Sequence, residues 1–177
     1  MELDHWMTNS SFAPDISFFG TLARLRLKAG KYLIHGSAYR SVMVTAHQAS
    51  NAGVAVSNTG MPVTPICDWG DAFSNGTPKC CNTSNVLATA WTAATTGEIA
   101  IAVANHGTTE VAVVLSLQLP TDYMARARHP YLLVATPMRD EQGWEDSTNT
   151  VAVEDDHVAR LVKSLPGRSA NVFELKR

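Results

Sequence analysis

Charge is scarce in this sequence. Only 17% of its residues are Asp, Glu, Lys or Arg, and they nearly cancel, leaving a formal net charge of -2. Such a balance gives no general attraction for nucleic acid or an anionic lipid surface, so neither is expected as a partner. The densest basic group, Arg24, Arg26 and Lys28, falls on one expected helix and reads as a solvated face. Long apolar runs are missing too. None reaches the ~18 residues that span a bilayer, and no membrane is expected. The opening residues, Met-Glu-Leu-Asp-His-Trp, lack the basic start and apolar stretch of a secretory signal. The compartment stays open, with secretion following only if a longer parent chain carries a signal.

The motifs of familiar chemistry are also lacking. There is no Gly-x-Ser-x-Gly, no phosphate-binding loop and no dinucleotide fingerprint. Histidines 5, 35, 47, 106, 129 and 157 are scattered without metal-ligand spacing, so no metal or other cofactor is expected. Asp4-His5-Trp6 and Asp68-Trp69-Gly70-Asp71 hold carboxylates beside an indole, and Glu154-Asp155-Asp156-His157 could offer oxygen ligands to a hard cation. The plainer readings are a frayed end, a loop and a solvated turn. No catalytic residue emerges.

Cysteine is limited to Cys67, Cys80 and Cys81. Adjacent cysteines rarely bond each other, so one bridge at most is expected, from Cys67 to Cys80 or Cys81, against the alternative of three thiols. Three sequons, at Asn9, Asn75 and Asn82, would matter only in a secreted protein.

What the chain does contain is strand signal. Val86–Thr92, Ile99–Asn105 and Val111–Leu119 alternate apolar and small or polar residues, and short polar turns separate them. In the middle run Ile99, Ile101 and Val103 are interleaved with alanines, which suits a strand covered on one face by small side chains. Asn105-His-Gly-Thr reads as a hairpin turn in which Asn and Gly take positive φ. Further strands are expected at 39–45, 54–56, 63–69, 131–135, 151–153, 157–163 and 171–175. Pro62 and Pro65 confine the 63–69 strand to an edge, and 70–84 reads as a long loop.

Ahead of the strands, Phe18, Leu22, Leu25, Ala29, Tyr32 and Leu33 recur at spacings of three and four, one face of an amphipathic helix over 15–35. Asp15 suits its N-cap and Gly36 its C-terminal cap. Gly20 and Gly30 each weaken such a helix by about 1 kcal/mol relative to Ala, which implies a neighbour lying close. The expected fold is mainly β: an antiparallel sandwich of about eight strands preceded by one N-terminal amphipathic helix.

The order of these elements carries a resemblance. A helix reading Leu22-x-x-x-Arg26-x-x-x-x-x-Tyr32-Leu33-x-x-Gly36 leads into strands with Ala90-Trp91, then Ile99-x-Ile-x-Val-x-Asn105, and finally Leu165-Pro-Gly-Arg-Ser169 before the last strand. This resembles the C-terminal part of a glycoside-hydrolase-like (β/α)8-barrel protein, closest to an uncharacterised glycosidase-like family, from about residue 15 onward. The resemblance implies that 1–36 is a lead-in and last helix belonging to a barrel domain, and that 37–177 is the accessory sandwich. Its partner would be the barrel of the same parent chain, a glycosidase whose catalytic carboxylates lie upstream, so no residue here inherits a catalytic role. The apolar face of helix 15–35 would then be exposed in this chain. The alternative is a self-standing carbohydrate-binding or adhesion module, with Trp6, Trp69 and Trp144 as sugar-contact candidates, whereas Trp91, in mid-strand, reads as packing.

Overall fold

The computed structural model describes residues 13–46, 61–68, 79–121, 132–139, 143–144, 149–153 and 157–176. Two helical segments, α1 (Ala13–Lys28) and α2 (Gly30–Leu33), precede twelve strands among the described residues. These are β1 (Ser37–Ser41), β2 (Met43–Ala46), β3 (Val63–Asp68), β4 (Lys79–Ser84), β5 (Val86–Thr92), β6 (Ile99–Asn105), β7 (Val111–Gln118), β8 (Leu132–Arg139), β9 (Gly143–Trp144), β10 (Asn149–Val153), β11 (Val158–Leu165) and β12 (Ser169–Lys176). The protein is mainly β, as its alternation requires.

All pairings among the described strands are antiparallel. The main sheet has ten strands in the order β1-β5-β6-β12-β8-β10-β11-β7-β2, with β9 on β8, while β3 and β4 form a separate two-stranded sheet. The two ends of that path, β1 and β2, are consecutive in the chain and meet at buried Val42. One apolar core lies inside, where Val86, Ile99, Ile101, Val103, Phe173 and Leu175 meet Val111, Val113, Leu115, Leu117, Leu161 and Leu165. Residues two apart share a face of a strand, so Ile99, Ile101 and Val103 enter this core while Ala100, Ala102 and Ala104 face outward. On that outer face a second cluster forms with Phe18, Leu25, Ala29 and Tyr32 of the helical segment. The helix therefore lies on the outside of the sandwich, over β6 and β12.

This arrangement corrects one expectation. The stripe of Phe18, Leu25, Ala29 and Tyr32 is buried by the chain's own alanine strands, not left exposed. Small side chains on β6 let a helix approach the sheet closely. Gly36 serves the same end: a Cβ there would sit 2.4 Å from the Tyr32 carbonyl oxygen and 2.5 Å from that of Thr92. The helix starts at Ala13, so Asp15 sits in its first turn, where its carboxylate pairs with Arg168 at 2.8 Å.

Two segments also differ from expectation, Asn105–Thr108 and 79–84. Asn105–Thr108 is no hairpin, because β6 pairs with β5 and β12 while β7 pairs with β11 and β2. The segment is an arch between layers. Neither Asn105 nor Gly107 has positive φ; each serves by its side chain or lack of one. Buried Asn105 donates from Nδ2 to the carbonyls of Thr109, Leu165 and Pro166 and accepts from the Gly107 amide, at 2.9–3.0 Å. Pro166–Arg168 is a second arch laid against the first, with the Arg168 amide donating to the Gly107 carbonyl at 2.8 Å. A Cβ on Gly167 would meet the Thr108 carbonyl at 2.3 Å. Residues 79–84, expected as loop, are strand β4, so Cys80 and Cys81 stand in a ladder. The strand expected at 54–56 lies outside the described residues.

Candidate docking surface

Apolar residues occupy two opposing sides of α1. The inner side is the buried stripe. On the outer side Ile16, Gly20, Ala23 and Leu27 follow one another in steps of four and three, and Gly30 and Ile34 continue the spacing past the break at Ala29. Steps of four and three keep residues on one side of a helix with 3.6 residues per turn. These large side chains are open to solvent: Leu27 is 73% exposed, Phe19 65%, Ile34 45% and Ile16 42%. Polar and basic side chains, Ser17, Thr21, Arg24, Lys28 and Lys31, fill the remaining side. A helix apolar on both sides is the pattern of one packed on both sides.

Among the described residues, nothing presses on the glycines of this face. A Cβ on Gly20 would have Arg24 Nη1 at 3.5 Å as its nearest neighbour, and one on Gly30 would have Ile34 Cδ1 at 3.6 Å. Both are ordinary contacts, and neither residue has positive φ. Gly36, Gly107 and Gly167, by contrast, are each pressed by neighbouring atoms of the chain.

A polar latch fixes the inner side. Glu174, on the outward face of β12, is buried with its carboxylate under the helix. The Tyr32 hydroxyl donates to it at 2.5 Å, Lys31 Nζ also bonds it, and Lys176 Nζ lies 3.5 Å away. Lys31 reaches Glu98 as well, at 3.1 Å. Burial pushes the Glu174 carboxyl up, but the hydrogen bonds from Lys31 and Tyr32 and the charges of Lys31 and Lys176 outweigh this and hold it below the usual carboxylate range. Burial works against the Lys31 charge, and the bonds to Glu174 and Glu98 outweigh it, holding Lys31 above its usual range.

Beside the helix, an open cleft of about 250 Å³ is lined by Leu22, Leu25, Leu33, Leu87, Ala102 and Ala104 among others. Among the described residues, Asn171 and Thr89 are its polar lining residues, and no carboxylate lines it. Leu87 at this cleft is itself exposed. Its described lining suits apolar contact.

Most of the residues singled out in the sequence fall outside the described residues. Trp6, Trp69, Asn9, Asn75, Asp4, His5, Asp71 and residues 154–156 lie outside the described residues. Trp144 is placed by its backbone alone, opposite Met138 in the β8–β9 pair. Asp68 stands opposite Lys79, and Cys67 opposite Cys80, in β3–β4. Asn82 is exposed on β4. Trp91 packs against the helix cluster, as expected, with its indole nitrogen buried and unpartnered. Among the described residues no group of His, Cys, Asp and Glu could hold a metal ion. The outer stripe was missed in the sequence; the signal available was the 4-3 spacing of Ile16, Gly20, Ala23 and Leu27, which the stronger inner stripe masked.

No family model, no curated protein and no solved structure matches the chain.

Proposed function

We propose that this chain is a non-catalytic accessory β-sandwich that braces a larger body, and that α1 is shared between the two. One observation carries the reading: the outer stripe of α1, apolar, exposed and set with glycines that no described residue presses on. Burying Ile16, Phe19, Leu27 and Ile34 would gain about 1.5–3 kcal/mol for each fully covered side chain. Gly20, Ala23 and Gly30 would let the covering body approach the helix backbone. The inner face, covered by β6 and β12, no longer argues for an absent partner; the outer face does.

The resemblance supplies the body. In a (β/α)8 barrel, helices form an outer ring around the strands and bury one side against them. A last barrel helix that also carries a sandwich on its far side needs two apolar stripes, which α1 has. The partner is thus a glycoside-hydrolase-like barrel of the same parent chain, and the catalytic groups belong to it.

The test is to sequence the transcript upstream of Met1 and to express the longer protein it encodes. The expected result is a reading frame of alternating strand and helix patterns, in whose product Leu27→Asp loosens the contact between barrel and sandwich. A frame without such units, or a longer product indifferent to Leu27→Asp, would overturn the reading.

A further inference from the structure

Among the described residues, the β3–β4 hairpin stands apart from the main sheet and pairs only with itself. Two strands alone are marginal in water. Pro65, within β3, brings no amide to the ladder. The connection, residues 69–78, is far longer than the two-residue turns that fix hairpin register. The base of the hairpin is tied to the sandwich: Met61 is buried in the core, and the Asn85 amide donates to the Pro62 carbonyl at 2.9 Å. The far end leads into residues 69–78, which lie outside the described residues.

That far end is where the cysteines stand. The register pairs Val63 with Ser84, Thr64 with Thr83, Pro65 with Asn82, Ile66 with Cys81, Cys67 with Cys80, and Asp68 with Lys79. Directly opposed residues bring their Cβ atoms to about 4.5–5.5 Å, next to the range of about 3.5–4.5 Å in disulfides. Cys81 is one position along and belongs to the other face of the ladder. The sequence alone left Cys80 and Cys81 both open, beside the alternative of three thiols; the register separates the two.

We infer that Cys67 and Cys80 form a cross-strand disulfide that closes the far end of the β3–β4 hairpin, with Cys81 outside the bridge. With a small-molecule disulfide such as oxidised glutathione as oxidant, one cysteine thiolate attacks a glutathione sulfur, forming a mixed disulfide and releasing one glutathione thiolate. The second cysteine thiolate then attacks the protein sulfur of the mixed disulfide and releases the second. Two protein thiols lose two protons and two electrons, and one glutathione disulfide becomes two thiols. Such a bridge persists in an oxidising compartment. Exposed Asn82, two positions along β4 and heading the sequon Asn82-Thr-Ser, fits the same setting. This inference is independent of the docking face on α1.

The test oxidises the full chain with glutathione disulfide, blocks remaining thiols with iodoacetamide and sequences the peptides by mass spectrometry. The expected product is lighter than the reduced chain by two hydrogens before blocking, carries one blocked cysteine, and shows that cysteine to be Cys81. Cys81→Ser should oxidise as the wild type does, and Cys67→Ser should form no intrachain bridge. A Cys67–Cys81 linkage in the wild type, or three blocked cysteines after oxidation, would overturn the inference.

Discussion

The Tyr32 hydroxyl donates to the Glu174 carboxylate at 2.5 Å, across the interface between helix and sheet. The pair lies at sequence separation 142, so it forms only when the last strand and the helical segment have docked. Glu174 is the one buried acidic residue of the described core, and its charge is met by Lys31 and Lys176. Helix docking is thus tied to one ionised carboxylate.

Acid should therefore undock the helix. The Glu174 pKa is lower folded than unfolded, so its contribution to stability is fully present above the unfolded value of about 4.3 and is lost as pH falls through the folded value. Melting temperatures measured from pH 7 downward should decline through that window in the wild type. Glu174→Gln should be less stable at pH 7 by roughly 1–3 kcal/mol, the loss of charge-assisted bonds to a buried group, and its decline with acid should be shallower. A parallel decline in both proteins would show that Glu174 does not set the acid response.

The two sides of the helix should respond oppositely to truncation. Leu25→Ala opens a cavity under the helix and should cost about 2–5 kcal/mol in urea denaturation. Leu27→Ala, on the exposed side, should stay within ~0.5 kcal/mol. Equal losses would mean that both sides are packed within this chain.

Glycine replacements should divide in the same way. Gly20→Ala should stabilise the chain by about 0.5–1 kcal/mol, since helix propensity rises and nothing is pressed. Gly36→Ala should destabilise it, because its Cβ would overlap the carbonyl oxygens of Tyr32 and Thr92. Equilibrium unfolding of the two variants decides; a Gly20→Ala variant weaker than wild type would show a close neighbour already in place.

The arches should depend on Asn105. Asn105→Ala strips partners from three carbonyls and one amide and should cost at least roughly 1–3 kcal/mol. Hydrogen exchange at Gly107 and Arg168 should quicken with it. Unchanged exchange there would show the arches to be held by other contacts.

Much of this fold was legible because burial imposes a period. Ile99, Ile101 and Val103 against Ala100, Ala102 and Ala104 disclosed a strand with one face of small side chains. The helix was legible from Phe18, Leu25 and Tyr32 for the same reason. What covered it was not, since contact between residue 32 and residue 174 leaves no local trace. Asn105–Thr108 misled because an arch between layers and a hairpin turn use the same small polar residues, and only strand order separates them. Cys80 and Cys81 were hidden in an expected loop because β4, rich in Asn, Thr and Ser, has almost no apolar alternation to show. The outer stripe was obscured because a helix with two apolar sides has less contrast than a helix with one.

The most direct measurement compares urea denaturation and binding of a hydrophobic dye for the wild type, Ile16→Glu/Leu27→Glu and Leu25→Glu. The double variant of the outer stripe should keep the wild-type midpoint and lose dye binding, while Leu25→Glu should unfold at markedly lower urea. If the outer-stripe variant unfolds as early as Leu25→Glu, that face is already used inside this chain, and a bracing role through it is contradicted.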